Sequence, residues 1–200
     1  MTDIKRITVA ISGASGAPYA VRLIQVLVEK KCKVHLTISR PAVMVLRHEM
    51  DISIDLRNFS LKSLIGKTSN LVTYHHCEDI TASIASGTFP IDAMVVIPCS
   101  MSTLAGVASG IANNLILRAA EVTLKERRPL ILVPRETPLG VIEIENMLRA
   151  AKAGACILPA MPAFYQGPKT VNDMVGFVVG KVLNQLRIKH ELFSRWGDNT

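Results

Sequence analysis

Aromatic residues are scarce in this chain of 200 residues: they make up 4% of it, with a single tryptophan. No basic run is interleaved with aromatic rings, which argues against a platform for stacking single-stranded nucleic acid. Cysteine is sparse as well. The four thiols, Cys32, Cys77, Cys99 and Cys156, stand far apart and form no CxxC pair. That spacing argues against a disulfide framework or a zinc site and for a reducing, cytoplasmic setting. The histidines add no metal signal, because the adjacent His75 and His76 of an extended stretch would point to opposite faces. No apolar run reaches the roughly 18 residues that a membrane span needs. The start, MTDIKRITVAISGASG, runs straight into a strand and a glycine turn, so no signal peptide is expected. Internal repeats, low-complexity tracts and linkers are also lacking.

What is abundant is apolar and basic. A hydrophobic fraction of 49% and a mean hydropathy of +0.31 leave room for oligomer surface as well as core. The net charge is +7, and without a nucleic-acid platform it points to anionic small ligands, bound phosphates above all.

Residues 4–11 read as a strand, followed by Ser12-Gly13-Ala14-Ser15-Gly16-Ala17-Pro18 and an amphipathic helix over 19–30. Strand, glycine-rich turn and helix aim backbone N–H groups at an anion. GASG is neither the dinucleotide GxGxxG nor a Walker loop, so a plain tight turn fits it equally. A strand over 34–39 ends at Ser39, and Pro41 opens a helix reaching Glu49. Ser39 is then either a ligand hydroxyl or a helix cap, and Glu49 on its own is a solvated helix residue. Residues 51–70 show no clear pattern and are expected to wrap the outside. A short strand over 71–75 and one or two helical turns over 78–87 follow. A helix over 139–153 stops at Gly154, and a last short strand spans 155–158. Three prolines between 159 and 168 impose a shaped loop carrying Phe164 and Tyr165. The final helix, over 170–187, has Lys181 just off its apolar stripe.

The stretch MVVIPCSMSTLAGVASGIANNLILRAAEVTLKERRPLILVPRE, residues 94–136, carries most of the chemistry. Its apolar runs, 94–97 and 130–133, lack polar alternation and read as buried parallel strands. Helical sequence with Arg118, Lys125, Glu126, Arg127 and Arg128 joins them. Strands near residues 5, 35, 95, 131 and 156 in βαβα order predict a single α/β domain. Its form is a three-layer, doubly wound parallel sheet, Rossmann-like or flavodoxin-like. Ligands of such sheets bind beyond the carboxyl ends of the strands. Ser15, Ser39, and the group Ser100, Ser102 and Thr103 fall at three such ends, and Arg135 at a fourth. Glu136, next to Arg135, is read equally well as half of a surface ion pair. Cys99 is more simply a small residue packed behind a turn than a nucleophile.

GASGAPY, PCSMSTLAGVASGIANNLILRAAEVTLKERRPLILVPRETPL, NMLRAAKAGACILPAMPAFY and the closing RWG resemble the flavin prenyltransferase (UbiX) family. The likeness runs nearly end to end and is weakest over 51–70. A wider group, the flavin-containing cysteine decarboxylases, shares the fold but lacks the LKERRPL–RETPL block as a unit. The resemblance implies an enzyme that joins a dimethylallyl group from dimethylallyl phosphate to reduced FMN, without a metal. The product, prenylated FMN, serves UbiD-type decarboxylases. It also implies a homo-oligomer, typically a dodecamer built of trimers, with each site at a subunit interface and with neither nucleic acid nor membrane as partner. Carried over by motif, Gly13, Ala14, Ser15, Ser39, Ser100, Met101, Ser102, Thr103 and Arg135 fall at FMN-contacting positions. Arg118, Lys125, Tyr165 and Lys181 fall where dimethylallyl phosphate is held, Lys181 at a place where relatives also use arginine. Glu136 and Ser15 fall at proton-handling positions, Glu49 and Trp196 at further active-site positions. The tail, about 188–200, is expected to pack on the site or on a neighbouring subunit. Two other readings stay open. One is an oxidative peptidyl-cysteine or phosphopantothenoylcysteine decarboxylase, for which His48 is the available histidine although no histidine stands at a strand end; the other is a flavin carrier without catalysis or a subunit of a decarboxylase complex.

Overall fold

A computed structural model describes residues 4–194. Six parallel strands form one sheet: β1 (Arg6–Ile11), β2 (Lys33–Ile38), β3 (Val72–His76), β4 (Ala93–Cys99), β5 (Leu130–Pro134) and β6 (Cys156–Ile157). Their spatial order is β3-β2-β1-β4-β5-β6. The chain therefore walks outward from β1 to β3, returns to lay β4 against β1, and walks outward the other way. Every residue of β4 and β5 is buried, which is why neither run shows polar alternation. The three-layer, doubly wound reading of the sequence holds.

The helices are α1 (Ala17–Glu29), α2 (Arg40–Met50), α3 (Leu61–Ile65), α4 (Met101–Ser109), α5 (Leu115–Lys125), α6 (Val141–Lys152) and α7 (Val171–Gln185). On one face of the sheet, α1, α2, α3 and α7 close a core built on Ile7, Val9, Leu36, Val95 and Val179. On the other, α4 and α5 pack over Ala10, Met94, Val96 and Leu132. Among the described residues no helix is long and apolar enough to cross a membrane.

One stretch departs from the sequence reading, and others gain detail. Residues 78–87 form a single 3-10 turn, Ser83–Ala85, rather than α-helix. The carboxylate of Asp79 accepts from the amide and the hydroxyl of Thr81 at 3.0 and 2.6 Å, a local bond that competes with helical pairing. The sequence between β4 and β5 forms two helices, divided at Gly110 in the left-handed region (φ 69°) and restarted by Asn114 as cap of α5. Residues 51–70 wrap the outside as expected, yet they plug Ile54, Leu64 and Ile65 into the core, the last two from a helix too short to show a period. Strand β4 also runs on through Pro98, and its register with β5 slips between Val96 and Cys99, since a proline has no N–H for the ladder.

At the β3 edge, Nδ1 of His35 and Nε2 of His75 are 3.1 Å apart. Burial, then His75 and the cations of Arg6 and Lys33, push the pKa of His35 down to about 4; burial also lowers that of His75. The unfolded chain binds a proton at His35 near pH 6.5, whereas the folded chain resists until about 4. Unfolding therefore takes up a proton in that window, and stability falls as the pH drops through it. The urea midpoint should decrease between pH 7 and pH 5, and His35→Gln should flatten the decrease. An unchanged slope in that variant would refute the assignment.

Candidate active site

The chain reverses its walk between β1 and β4, so a crevice opens where their carboxyl ends diverge. Ser12, the first residue after β1, spans it. Its hydroxyl donates to the Pro98 carbonyl at 2.8 Å and accepts from the Ser100 amide at 2.7 Å. Its own amide donates to Pro98 O at 3.2 Å. Ser12 is 1% exposed, and sequence reasoning passed over it. A serine after a strand carries no pattern that separates a buried clamp from a turn residue.

The GASG turn that follows requires its glycines. Gly16 sits at φ 116°, strained for any other residue, and a Cβ on Gly13 would collide with Pro41. The turn's first helical amides have an acceptor already. Glu49, reaching over from α2, accepts from Gly16 N at 2.9 Å and Ala17 N at 2.8 Å. The carboxylate thus neutralises the positive end of α1. Tyr19 stands nearby: burial and then the Glu49 charge raise its pKa, while Arg135 opposes them. Arg135 also ties the two sides together, its Nε donating to the Ser15 carbonyl at 3.4 Å.

Beside this lies the start of α4. Ser100 Oγ caps it by accepting from Thr103 N at 3.3 Å, and sits 3.0 Å from Thr103 Oγ1 and 3.2 Å from Ser102 Oγ. The amides of Met101 and Ser102 have no acceptor within the helix. Ser39 caps α2 through Ala42 N at 3.3 Å, so the cap reading of that residue is realised while its hydroxyl proton stays available. Two hollows flank the Ser15–Arg135 bond. One, about 790 Å³, is lined by Ser15, Met44, His48 and Glu49. The other, about 280 Å³, is lined by Arg135, Glu136, Leu139, Met147 and Met161. Ser100 lines neither. Glu136 accepts from Thr137 N at 3.2 Å and forms no ion pair with Arg135 among the described residues. Cys99 is fully buried and its thiol is pushed up to about 12, which fits packing rather than attack.

The remaining cations lie elsewhere in the same chain. Arg118 is turned to the 83–86 segment, bonded to Ala85 O at 3.2 Å and paired with Glu121 at 2.8 Å. Lys125 ends α5 five residues before β5 begins. It therefore sits at the amino end of the sheet, roughly 16 Å from the tip of the five-residue strand β5. Lys181 is ten residues into α7, about 15 Å along it, near the end where Lys5 Nζ bonds Leu186 O. Tyr165 follows β6 and packs edge-on against Phe177 at 5.9 Å. Trp196 lies outside the described residues. Leu192 and Phe193 of the tail pack on their own chain's core, Phe193 against Phe177 at 5.1 Å. Among the described residues, no three acidic, histidine or cysteine groups converge as metal ligands.

A family model described as Flavoprotein matches residues 1–183. A flavin prenyltransferase UbiX from Halalkalibacterium halodurans is 51% identical over 199 residues, covering 99% of this chain and 97% of its own. Among solved structures, AnUbiX (PadA1) in complex with FMN and dimethylallyl pyrophosphate superposes with a TM-score of 0.88 at 37% identity, covering 98% of each chain. A dodecameric FMN-dependent UbiX-like decarboxylase from Escherichia coli O157:H7 superposes at 0.85 with 42% identity, covering 96% of this chain and 98% of its own. With the strand order, the glycine turn and the hydroxyl cradle in place, the chain belongs to the Flavoprotein family and, within it, to the UbiX flavin prenyltransferases.

Proposed function

We propose that this chain transfers the dimethylallyl group of dimethylallyl phosphate to reduced FMN, making prenylated FMN for a UbiD-type decarboxylase. The observation that carries the reading is the crevice between β1 and β4, where Ser12 ties the hydroxyl cluster and open amides at the start of α4 to the glycine turn, whose Ser15–Arg135 bond is flanked by two hollows. That combination suits a flavin mononucleotide, which is one phosphate and one flat ring system. Because Glu49 closes the first amides of α1, the phosphate belongs at the start of α4. Ser100, Ser102 and Thr103 donate hydroxyls there, with Ser39 opposite. The ring then lies along Gly13, Ala14 and Ser15, where the absence of a Cβ at Gly13 allows the turn to close on α2. Met101 and Arg135 flank it. Reduced FMN supplies the nucleophilic flavin atoms.

Departure of phosphate from an allylic carbon builds negative charge on oxygen, which fixed cations and a phenol stabilise. Arg118, Lys125, Tyr165 and Lys181 have that chemistry, but one chain does not gather them at its own crevice. The residues of one copy therefore complete the site of another, and Lys125 is delivered across an interface. Glu136, exposed at the tip of β5, protonates the leaving phosphate and takes a proton back during ring closure, with the Ser15 hydroxyl beside it. The apolar exterior supports assembly. Val141, Ile144 and Leu148 share one face of α6 and are 71%, 54% and 53% exposed, a patch that monomers rarely leave bare. Four free thiols fit a reducing cytoplasm.

Anaerobic incubation with reduced FMN and dimethylallyl phosphate should yield a flavin heavier by one five-carbon unit; unchanged flavin mass would overturn the reading. Glu136→Gln and Lys125→Ala should each keep FMN binding and lose product. A carrier without catalysis would retain whatever partner activation it has. Dissociating and co-assembling those two variants should restore part of the activity, because some sites then draw Glu136 and Lys125 from different intact chains. If both act within one chain, no recovery will appear. Ile144→Asp with Leu148→Asp should lower the mass seen by light scattering and abolish product formation, while the circular dichroism stays that of the folded chain.

A further inference from the structure

A second polar hollow opens at the opposite end of the sheet, near the β3 edge. Arg6, Lys33, His35, Asn70, Thr73 and Phe89 line it around a volume of about 360 Å³. Register explains the grouping. Arg6 pairs with Lys33, and His35 with Thr73. Alternation along the strands then puts these four side chains on one face. Neither Arg6 nor Lys33 has an ion pair among the described residues. The carboxylate of Asp92 is engaged by the backbone amide of Arg6 at 2.6 Å. Two cations thus border a half-buried hollow with no ion pair of their own among the described residues, and Asp92 is the nearby carboxylate.

The other walls choose the rest of the ligand. The ring of Phe89 meets that of His35 edge-on at 5.0 Å and 89°, and Pro90 and Leu71 continue the apolar side. Nδ1 of His35 faces Nε2 of His75 at 3.1 Å. One of the two rings donates to the other, and burial disfavours charging either. On the same face, beside His35 in the register, the hydroxyl of Thr8 is buried without a partner.

We propose that this hollow is a second ligand site, for a small aryl carboxylate: Arg6 and Lys33 take the carboxylate, and Phe89, Pro90 and Leu71 flank the ring. A guanidinium beside an ammonium holds a small oxyanion, the walls of Phe89, Pro90 and Leu71 favour an anion that carries a ring, and the volume suits a single ring with its substituents rather than a nucleotide. The site is separated from the flavin crevice by the length of the strands and does not depend on the prenyl-transfer reading.

The test is a calorimetric titration of the FMN-saturated protein with benzoate, with acetate and inorganic phosphate in parallel. One saturable benzoate site per chain is expected, with acetate and phosphate at least tenfold weaker, a difference of about 1.4 kcal/mol. Arg6→Gln with Lys33→Gln should weaken benzoate at least tenfold and leave FMN binding unchanged. Should the double variant fail to fold, Lys33→Gln alone serves. Independently, benzoate should raise the His35 pKa followed by imidazole NMR in the unaltered protein. Three results would each overturn the proposal: no saturable benzoate heat, acetate or phosphate binding as tightly as benzoate, or benzoate binding and a His35 response indifferent to both cations.

Discussion

The hydroxyl of Ser12 is where the two halves of the molecule meet. Strand order puts β1 beside β4, but pairing between them runs only from Ile7 to Ala10 on the β1 side. Beyond that point the ladder ends, and Ser12 N still reaches Pro98 O at 3.2 Å. The Ser12 hydroxyl reinforces that contact by accepting from the Ser100 amide while donating to the Pro98 carbonyl. A buried hydroxyl with both partners satisfied is worth about 1 kcal/mol net, and more is lost if the partners are stranded. Its larger effect is geometric: it sets the distance from the glycine turn to the start of α4. Pro98, lacking an N–H, loosens β4 from β5 at the same level and frees its carbonyl side for Ser12.

Charge is distributed by the same topology. Parallel strands send every helix N-terminus that follows them to one end, so positive helix ends accumulate at the strand tips. Glu49 answers one of them at α1, and the start of α4 keeps its amides open to a ligand. Helix C-termini gather at the other end, where Lys125 ends α5. Basic side chains are favourable there for the same reason. A site that needs both an anion cradle and several cations is therefore split in a single chain. The bare apolar face of α6 is the kind of surface that brings copies together, which is the arrangement proposed for gathering those cations.

Much of this was written in the primary structure. The runs at β4 and β5 are buried on both sides, so continuous apolar sequence was enough to mark them. Gly13 and Gly16 occupy positions that only glycine fills without strain or collision, so the turn was readable too. The family likeness rests on the same local blocks. Where short-range chemistry competes with periodicity the reading failed, as at Asp79, whose carboxylate holds Thr81 and diverts the chain from helix. It also fell short where a helix such as α3 is only five residues long.

Local sequence determined the strands, the helix starts and the residue types at the strand tips, because each depends on neighbours within a turn or two. The tertiary structure alone decided which of those residues share a site. Glu49 meets Gly16 across 33 positions, Ser12 meets Ser100 across 88, and Arg135 meets Ser15 across 120. No periodicity records such pairs, since they arise only when the crossover connections fold the sheet back on itself. For the same reason the placement of Lys125 and Lys181 at the far end was invisible beforehand: a motif records order along the chain, whereas distance is set by the direction in which each helix returns.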